Sequence, residues 1–143
     1  MHILFLDDGD IRHESAERHL SKNHTLLHAF HAEEALKILI SCQERIGLAM
    51  LDHDLNYFVN DTGERVGYEY DGKKTELHGI WFLNQMFDGV PKDKWPAQFI
   101  IHSRNVPAAK NMHGHLLAYE QTSTILPFSG DMLKTVAARI LSQ

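Results

Sequence analysis

The stretch His2-Ile3-Leu4-Phe5-Leu6-Asp7-Asp8 is a continuous apolar run that stops at paired acids. Gly47-Leu48-Ala49-Met50-Leu51-Asp52-His53-Asp54 repeats the pattern further along the chain. Apolarity without alternation, ended by a turn, predicts strands buried on both faces, as in a parallel sheet. Three more segments read as strands: Thr25-Leu26-Leu27-His28-Ala29-Phe30, Gln98-Phe99-Ile100-Ile101 and Ser123-Thr124-Ile125-Leu126. Helical stretches lie between them. Residues 11–20 form an exposed helix with Asp10 as its cap. Residues 32–41 carry Ala35, Leu36, Leu39 and Ile40 on one stripe, with Glu33 and Glu34 in the first turn. Residues 78–87 follow, then a loop over 88–96, then residues 106–117 with Pro107 in the first turn. Ser129 caps a last helix with Leu133, Val136, Ala137, Ile140 and Leu141 on one face. Strict alternation predicts an α/β fold: a doubly wound, five-stranded parallel sheet with right-handed crossovers. The expected strand order is 2-1-3-4-5.

One irregularity interrupts this plan. Residues 56–77 are a polar excursion after the third strand, with turn signals at Asn60-Asp61-Thr62-Gly63 and Asp71-Gly72. It reads as an insertion, a hairpin whose Tyr57, Phe58, Tyr68 and Tyr70 fit either a lid that stacks on a base or the small core of the hairpin itself.

Composition bounds the function. The 143 residues suit one domain, 1–143, and such a domain buries roughly 68–70% of its unfolded surface. Apolar residues make up 43% and charged residues 23%, so disorder is not expected. No run approaches the ~18–20 apolar residues of a membrane span, and the N-terminus lacks the marks of a signal peptide. The net charge of −5 and the absence of a Lys/Arg cluster argue against binding duplex DNA by counterion release. The single cysteine, Cys42, excludes an intramolecular disulfide and a Cys-based zinc cluster. Together these features suggest a reducing, cytoplasmic setting.

Ligands of open α/β sheets bind beyond the carboxyl ends of the strands, at the switch point in strand order. Neighbouring strands are ~4.8 Å apart, so Asp7-Asp8 and Asp52-His53-Asp54 should converge there. His102 and Ser103 end the adjacent strand, and His78 starts a helix on the same edge. Clustered carboxylates repel by ~4 kcal/mol per pair at 4 Å and an effective dielectric of about 20. A divalent ion among Asp7, Asp8, Asp52 and Asp54 relieves this. Carboxylates alone suit Mg²⁺, and admixed imidazole turns preference toward Mn²⁺, Fe²⁺ or Zn²⁺. Arg104 offers a bidentate phosphate contact, and Asn105 stands beside it. Each reading has a plainer rival. Asp7 and Asp52, like Asp8 and Asp54, can merely cap helices. His53 can face solvent, His78 can cap its helix, and His102 can be a core histidine. The other eight of the eleven histidines (His2, His13, His19, His24, His28, His31, His113 and His115) are scattered and read as structural. Trp81 and Trp95 read as packing residues.

The pattern resembles a response-regulator receiver domain over nearly the whole chain. Asp7-Asp8 match the acidic pair that holds Mg²⁺, Asp52 the phospho-accepting Asp, and Ser103 the small hydroxyl residue after strand four. The start of the second helix, His31-Ala32-Glu33-Glu34-Ala35-Leu36, is also receiver-like. Receivers carry a Lys at the end of strand five, where this chain reads Leu126-Pro127-Phe128. That departure, the added histidines and the excursion make the chain more similar to one offshoot, the cyclic-phosphate-processing receiver-like domain. The features are Leu6-Asp7-Asp8, Leu51-Asp52-His53-Asp54-Leu55, His78-Gly79 and Ile101-His102-Ser103-Arg104-Asn105.

The resemblance implies a metal-assisted phosphodiesterase-type hydrolase acting on a cyclic phosphate of a nucleotide or an RNA end. The expected metal ligands are Asp7, Asp8, Asp52 and Asp54, with Mn²⁺, Mg²⁺ or Zn²⁺ as the ion. Asp52, His53, His78, His102 and Ser103 are the expected catalytic residues, with His102 or His78 as general acid. Without metal, His78 and His102 would act as a direct acid–base pair. Arg104 and Asn105 are the expected substrate contacts. Rival expectations are a non-catalytic binder of cyclic nucleotide signals and a phospho-accepting signalling receiver. A haloacid-dehalogenase-type phosphatase, suggested by Asp8-Gly9-Asp10, lacks a partner Lys motif and room for that fold.

Overall fold

The computed structural model describes residues 1–55 and 78–140, and within 56–77 the strand residues 58–59, 65–66, 68–70 and 73–75. Five parallel strands form the sheet: β1 (His2–Leu6), β2 (Thr25–Ala29), β3 (Ile46–Leu51), β8 (Gln98–Ile101) and β9 (Ser123–Ile125). Their spatial order is β2-β1-β3-β8-β9, the 2-1-3-4-5 arrangement expected from the alternation. The helices are α1 (Asp10–Leu20), α2 (Ala32–Ser41), α3 (Gly79–Gly89), α4 (Val106–Ala118) and α5 (Gly130–Thr135). A π-helical turn, Val136–Ile140, continues α5, and a 3₁₀ turn, Lys92–Lys94, lies within the expected loop. Leu141, assigned to the last helix from sequence, lies outside the described residues.

The pleat divides the core. Leu4, Leu6, Ala49, Leu51, Phe99 and Ile101 pack toward α2, α3 and α4. Ile3, Phe5, Leu48, Met50 and Ile100 pack toward α1 and α5. Both faces are covered, which is why the strands read as unbroken apolar runs. Trp95 is buried and donates its indole N–H to the Val90 carbonyl at 2.8 Å, and Trp81 packs half-buried on the α2–α4 side. Both are packing residues, as the sequence suggested.

Of the two caps read from the sequence, Ser129 holds and Asp10 does not, and Asn105 is a cap the sequence reading did not name. Asn105 and Ser129 accept the N–H groups of Ala108 and Met132 through their side chains. Asp10, expected to cap α1, is instead its first residue, and Gly9 holds the cap position with no side-chain bond. In the excursion, β4 (Phe58–Val59) pairs antiparallel with β5 (Arg65–Val66), and β6 (Tyr68–Tyr70) with β7 (Lys73–Thr75). The expected single hairpin is therefore two short ones. Both turn signals, Asn60-Asp61-Thr62-Gly63 and Asp71-Gly72, and Tyr57 lie outside the described residues.

Candidate active site

Strand register builds the site. Leu6 pairs with Leu51, Leu51 with Ile101, and Ile101 with Ile125. The ladder runs one step further. The Asp52 N–H donates to the Leu6 carbonyl (2.9 Å), His102 to Leu51 (3.0 Å) and Leu126 to Ile101 (2.9 Å). Asp7, Asp52, His102 and Leu126 thus stand in a row on the carboxyl edge. By the alternation of the pleat, the row faces the α1–α5 side. His102 accordingly stacks on Phe5, with ring centroids 5.2 Å apart and 4° between planes.

Asp7, Asp8 and Asp52 each present an oxygen within 4.8 Å of the other two. Asp7 is fully buried, and its Oδ1 accepts the Gly9 N–H at 2.7 Å. Arg12, absent from the sequence expectations, lies across the acids. Its Nε is 2.8 Å from both oxygens of Asp7, and its Nη2 is 3.1 Å from Asp8 Oδ1. The hydrogen bond to Asp7 raises the guanidinium pKa further. One guanidinium does not neutralise three acids. Burial first, and the charge of Asp7 second, push Asp52 up to about 7. The site is short of positive charge, and its all-carboxylate donor set fits a hard divalent ion. A divalent ion 4 Å from the guanidinium would be repelled by about 8 kcal/mol at an effective dielectric of 20. Arg12 and such an ion therefore compete for the same acids.

His102 differs from its expected role. It is buried, and neither ring nitrogen has a hydrogen-bond partner among the described residues. Its Nδ1 stands 3.6 Å from Asp7 Oδ2, too far for a hydrogen bond. Burial drives its pKa down to about 4. At neutral pH it is an uncharged imidazole, so the expectation of His102 as general acid is corrected: it has no excess proton to deliver.

A second cluster faces α3 and α4. His53, Asp54 and His78 offer ligand-type atoms within 4.8 Å of one another, and the two imidazoles stack with centroids 4.9 Å apart. Asp54, expected among the other acids, belongs to this group. Its Oδ1 accepts from His53 Nδ1 at 2.7 Å and from Asn105 Nδ2 at 3.2 Å. Burial pushes the Asp54 carboxyl up, and these two hydrogen bonds more than reverse it, leaving the pKa below its ordinary value. His78 does not cap α3 with its side chain; its Nδ1 accepts the Leu55 N–H at 3.3 Å. Gly79 lets α3 approach this closely. A Cβ there would lie 2.3 Å from the Asp52 carbonyl oxygen.

The strand-four residues divide their tasks. Ser103 is buried, and its Oγ accepts the Asn105 N–H at 3.1 Å. Both ends of the Asn105 amide are engaged, one capping α4 and the other on Asp54, so it positions the site. Arg104 is exposed. A crevice of about 200 Å³ is lined by Asp7, Asp8, Arg12, Asp52, Asp54 and His102, with Ser103, Arg104 and Phe128. This is below the ~300 Å³ of typical small-molecule pockets, room for a phosphoryl group but not an enclosed nucleoside. His13, set among the structural histidines from sequence, supports Asp7 from below: its Nε2 donates to the Asp7 carbonyl at 2.7 Å.

The profile of the cyclic-phosphate processing receiver domain matches residues 2–118. No curated protein sequence matches the chain. Among solved structures, a CheY-like response-regulator receiver domain from Methanospirillum hungatei JF-1 is similar with a TM-score of 0.61 at 16% identity, covering 99% of this chain and 94% of the other. The receiver domain of NtrX from Brucella abortus gives 0.59 at 23% identity, with 99% and 98% covered. NtrX in complex with ADP gives 0.60 at 22% identity, and the match spans 99% of this chain but only 27% of that longer protein. Among the described residues, no helix is long and apolar enough to cross a membrane.

Proposed function

Because the chain belongs to the cyclic-phosphate processing receiver family, we propose that it is a metal-assisted phosphodiesterase acting on a cyclic phosphate of a nucleotide or an RNA end. The observation that carries this reading is the meeting of two unlike clusters at one sheet edge. Three carboxylates short of a cation lie on one side and a stacked histidine pair on the other, with Asp54 belonging to the pair and lining the crevice. Asp7, Asp8 and Asp52 would hold the ion, with Mg²⁺ and Mn²⁺ suiting the oxygen donors better than Zn²⁺. Such an ion polarises a phosphoryl oxygen and lowers the pKa of bound water.

The chain's own residues supply the rest. Water attacks phosphorus, the bond to one ribose oxygen breaks, and that oxygen needs a proton. His78 offers that oxygen a hydrogen bond from Nε2–H as the bond breaks. His53, its Nδ1–H turned to Asp54, takes the attacking water's proton at its Nε2 lone pair, and the leaving oxygen takes up one proton from solvent in return. Arg104 binds the phosphate from the rim. Ser103 and Asn105 hold α4 and Asp54 in place. The small crevice admits the phosphoryl group and leaves the nucleoside outside, which fits RNA ends as well as free nucleotides. The test is a panel of 2′,3′-cyclic and 3′,5′-cyclic phosphates with Mn²⁺, Mg²⁺ or Zn²⁺, with and without EDTA. Turnover that requires metal and is lost in Asp52→Asn is expected; intact ligand under every condition would leave only a binding role.

One observation favours a second reading, a phospho-accepting receiver: Asp52 sits beside Asp7 and Asp8, where a receiver's acceptor stands. Against it, the cations lining the crevice among the described residues are Arg12 and Arg104, with Phe128 on the strand-five side and no lysine. A stable mass increment from a small phosphodonor, absent in Asp52→Asn, would establish it.

A further inference from the structure

We propose that Arg12 is a resident counter-ion that exchanges with a divalent cation at Asp7, Asp8 and Asp52, and that the exchange frees its guanidinium to bind the substrate's phosphate. This rests on the metal reading above and adds an order of events: cation first, phosphate second.

The geometry gives Arg12 two faces. Its side chain is 42% exposed, yet it reaches inward to an Asp7 side chain that is 1% exposed. It engages both Asp7 oxygens through one nitrogen, so an ion that takes an Asp7 oxygen must meet the guanidinium at close range. A second observation marks the cluster as built for a ligand. The His102 imidazole is buried with neither nitrogen partnered among the described residues, and its Nδ1 points at Asp7 Oδ2 from 3.6 Å. Buried polar atoms normally have partners, and Arg12 satisfies the acids without satisfying this ring.

Gly9 makes the resident position possible. A Cβ at residue 9 would lie 2.6 Å from Arg12 Nη2 and 2.7 Å from Cζ. Gly9 has ordinary extended backbone angles, φ −100° and ψ 120°. An alanine would therefore leave the turn intact and push the flexible end of Arg12 out. The released guanidinium stays on the wall of the same crevice as Arg104, and two arginines there suit the second negative charge that a singly charged cyclic phosphodiester gains as it opens to a monoester.

The experiment is calorimetric titration of the whole chain with Mn²⁺ alone, then with inorganic phosphate at saturating Mn²⁺. Arg12→Gln should bind Mn²⁺ about tenfold more tightly than the parent and bind phosphate at least about tenfold more weakly. Gly9→Ala should share the gain in Mn²⁺ affinity and keep phosphate binding, because it moves the guanidinium without removing it. The opposite signs in Arg12→Gln separate exchange from a merely structural role. Equal or weaker Mn²⁺ binding in both variants overturns the exchange while leaving the metal reading standing. Parent-like phosphate binding by Arg12→Gln overturns the second half. No Mn²⁺ binding by any of the three proteins overturns the metal reading and this proposal together.

Discussion

The imidazoles of His53 and His78 stack with centroids 4.9 Å apart and 21° between planes, and their hydrogen bonds fix opposite tautomers. His53 donates from Nδ1 to Asp54, so its neutral ring keeps a lone pair at Nε2. His78 accepts at Nδ1 from the Leu55 amide, so its neutral ring carries the proton at Nε2. One ring presents a lone pair and its neighbour an N–H.

The pair can be dissected by leaving group. His78→Gln should cost ~10²–10³-fold in turnover of a cyclic phosphate, the usual loss when one donor to a developing oxyanion is removed. With an aryl phosphodiester, whose leaving group needs no proton, the loss should shrink to a few-fold. His53→Gln should lose activity on both substrates. Equal losses for His78→Gln on both would remove it as the donor to the leaving oxygen.

Asp52 sets a pH dependence on stability in the absence of metal. Its folded pKa of about 7 lies above the ordinary 3.8, so the folded state keeps a proton that the unfolded state releases. The stabilising proton is fully bound below pH ~3.8, and its benefit is lost as pH rises through about 7. Asp52→Asn is neutral throughout and should melt above the parent, by little at pH 4 and by roughly 4–8 °C at pH 8 in EDTA. A difference independent of pH would contradict the shift.

The His102 nitrogens, buried and without partners among the described residues, are costly at about 1–3 kcal/mol for an unsatisfied group. His102→Phe preserves the stack on Phe5 and removes both polar atoms. Thermal melts in EDTA should show it equal to or a few degrees above the parent, while Mn²⁺ affinity falls. A large loss of stability would contradict the unpartnered ring.

Gly79 tests the docking of α3. In Gly79→Ala the new methyl meets backbone, the Asp52 carbonyl oxygen at 2.3 Å, so the helix must shift. The expected cost is about 1–3 kcal/mol, as for overpacking elsewhere. Activity should fall further than stability, because His78 moves with the helix. Urea titration and turnover measured on the same preparation check both.

Much of the fold was legible in order. The apolar runs ending at Asp7, Asp52 and His102 predicted strands, sheet and switch point, because a strand covered on both faces has to be apolar throughout. Helix ends were less so. Asp10 has a capping side chain, yet the chain enters α1 at Gly9 and Asp10 is the helix's first residue. The excursion was legible as an interruption and not as two hairpins.

The sequence by itself determined which residues meet: register carries Asp7, Asp52 and His102 into one row, and local alternation is enough to read that. Only the tertiary structure decided how they divide. The pleat and the turn after β3 send His53 and Asp54 toward α3, away from the acid row, and the burial of His102 strips it of its charge. Arg12 and His13 gave no signal in the chain, because a charged helix face looks the same whether it turns to water or to a buried carboxylate. Burial and charge are properties of the assembled surroundings, contributed by segments distant in sequence, and local patterning does not encode them.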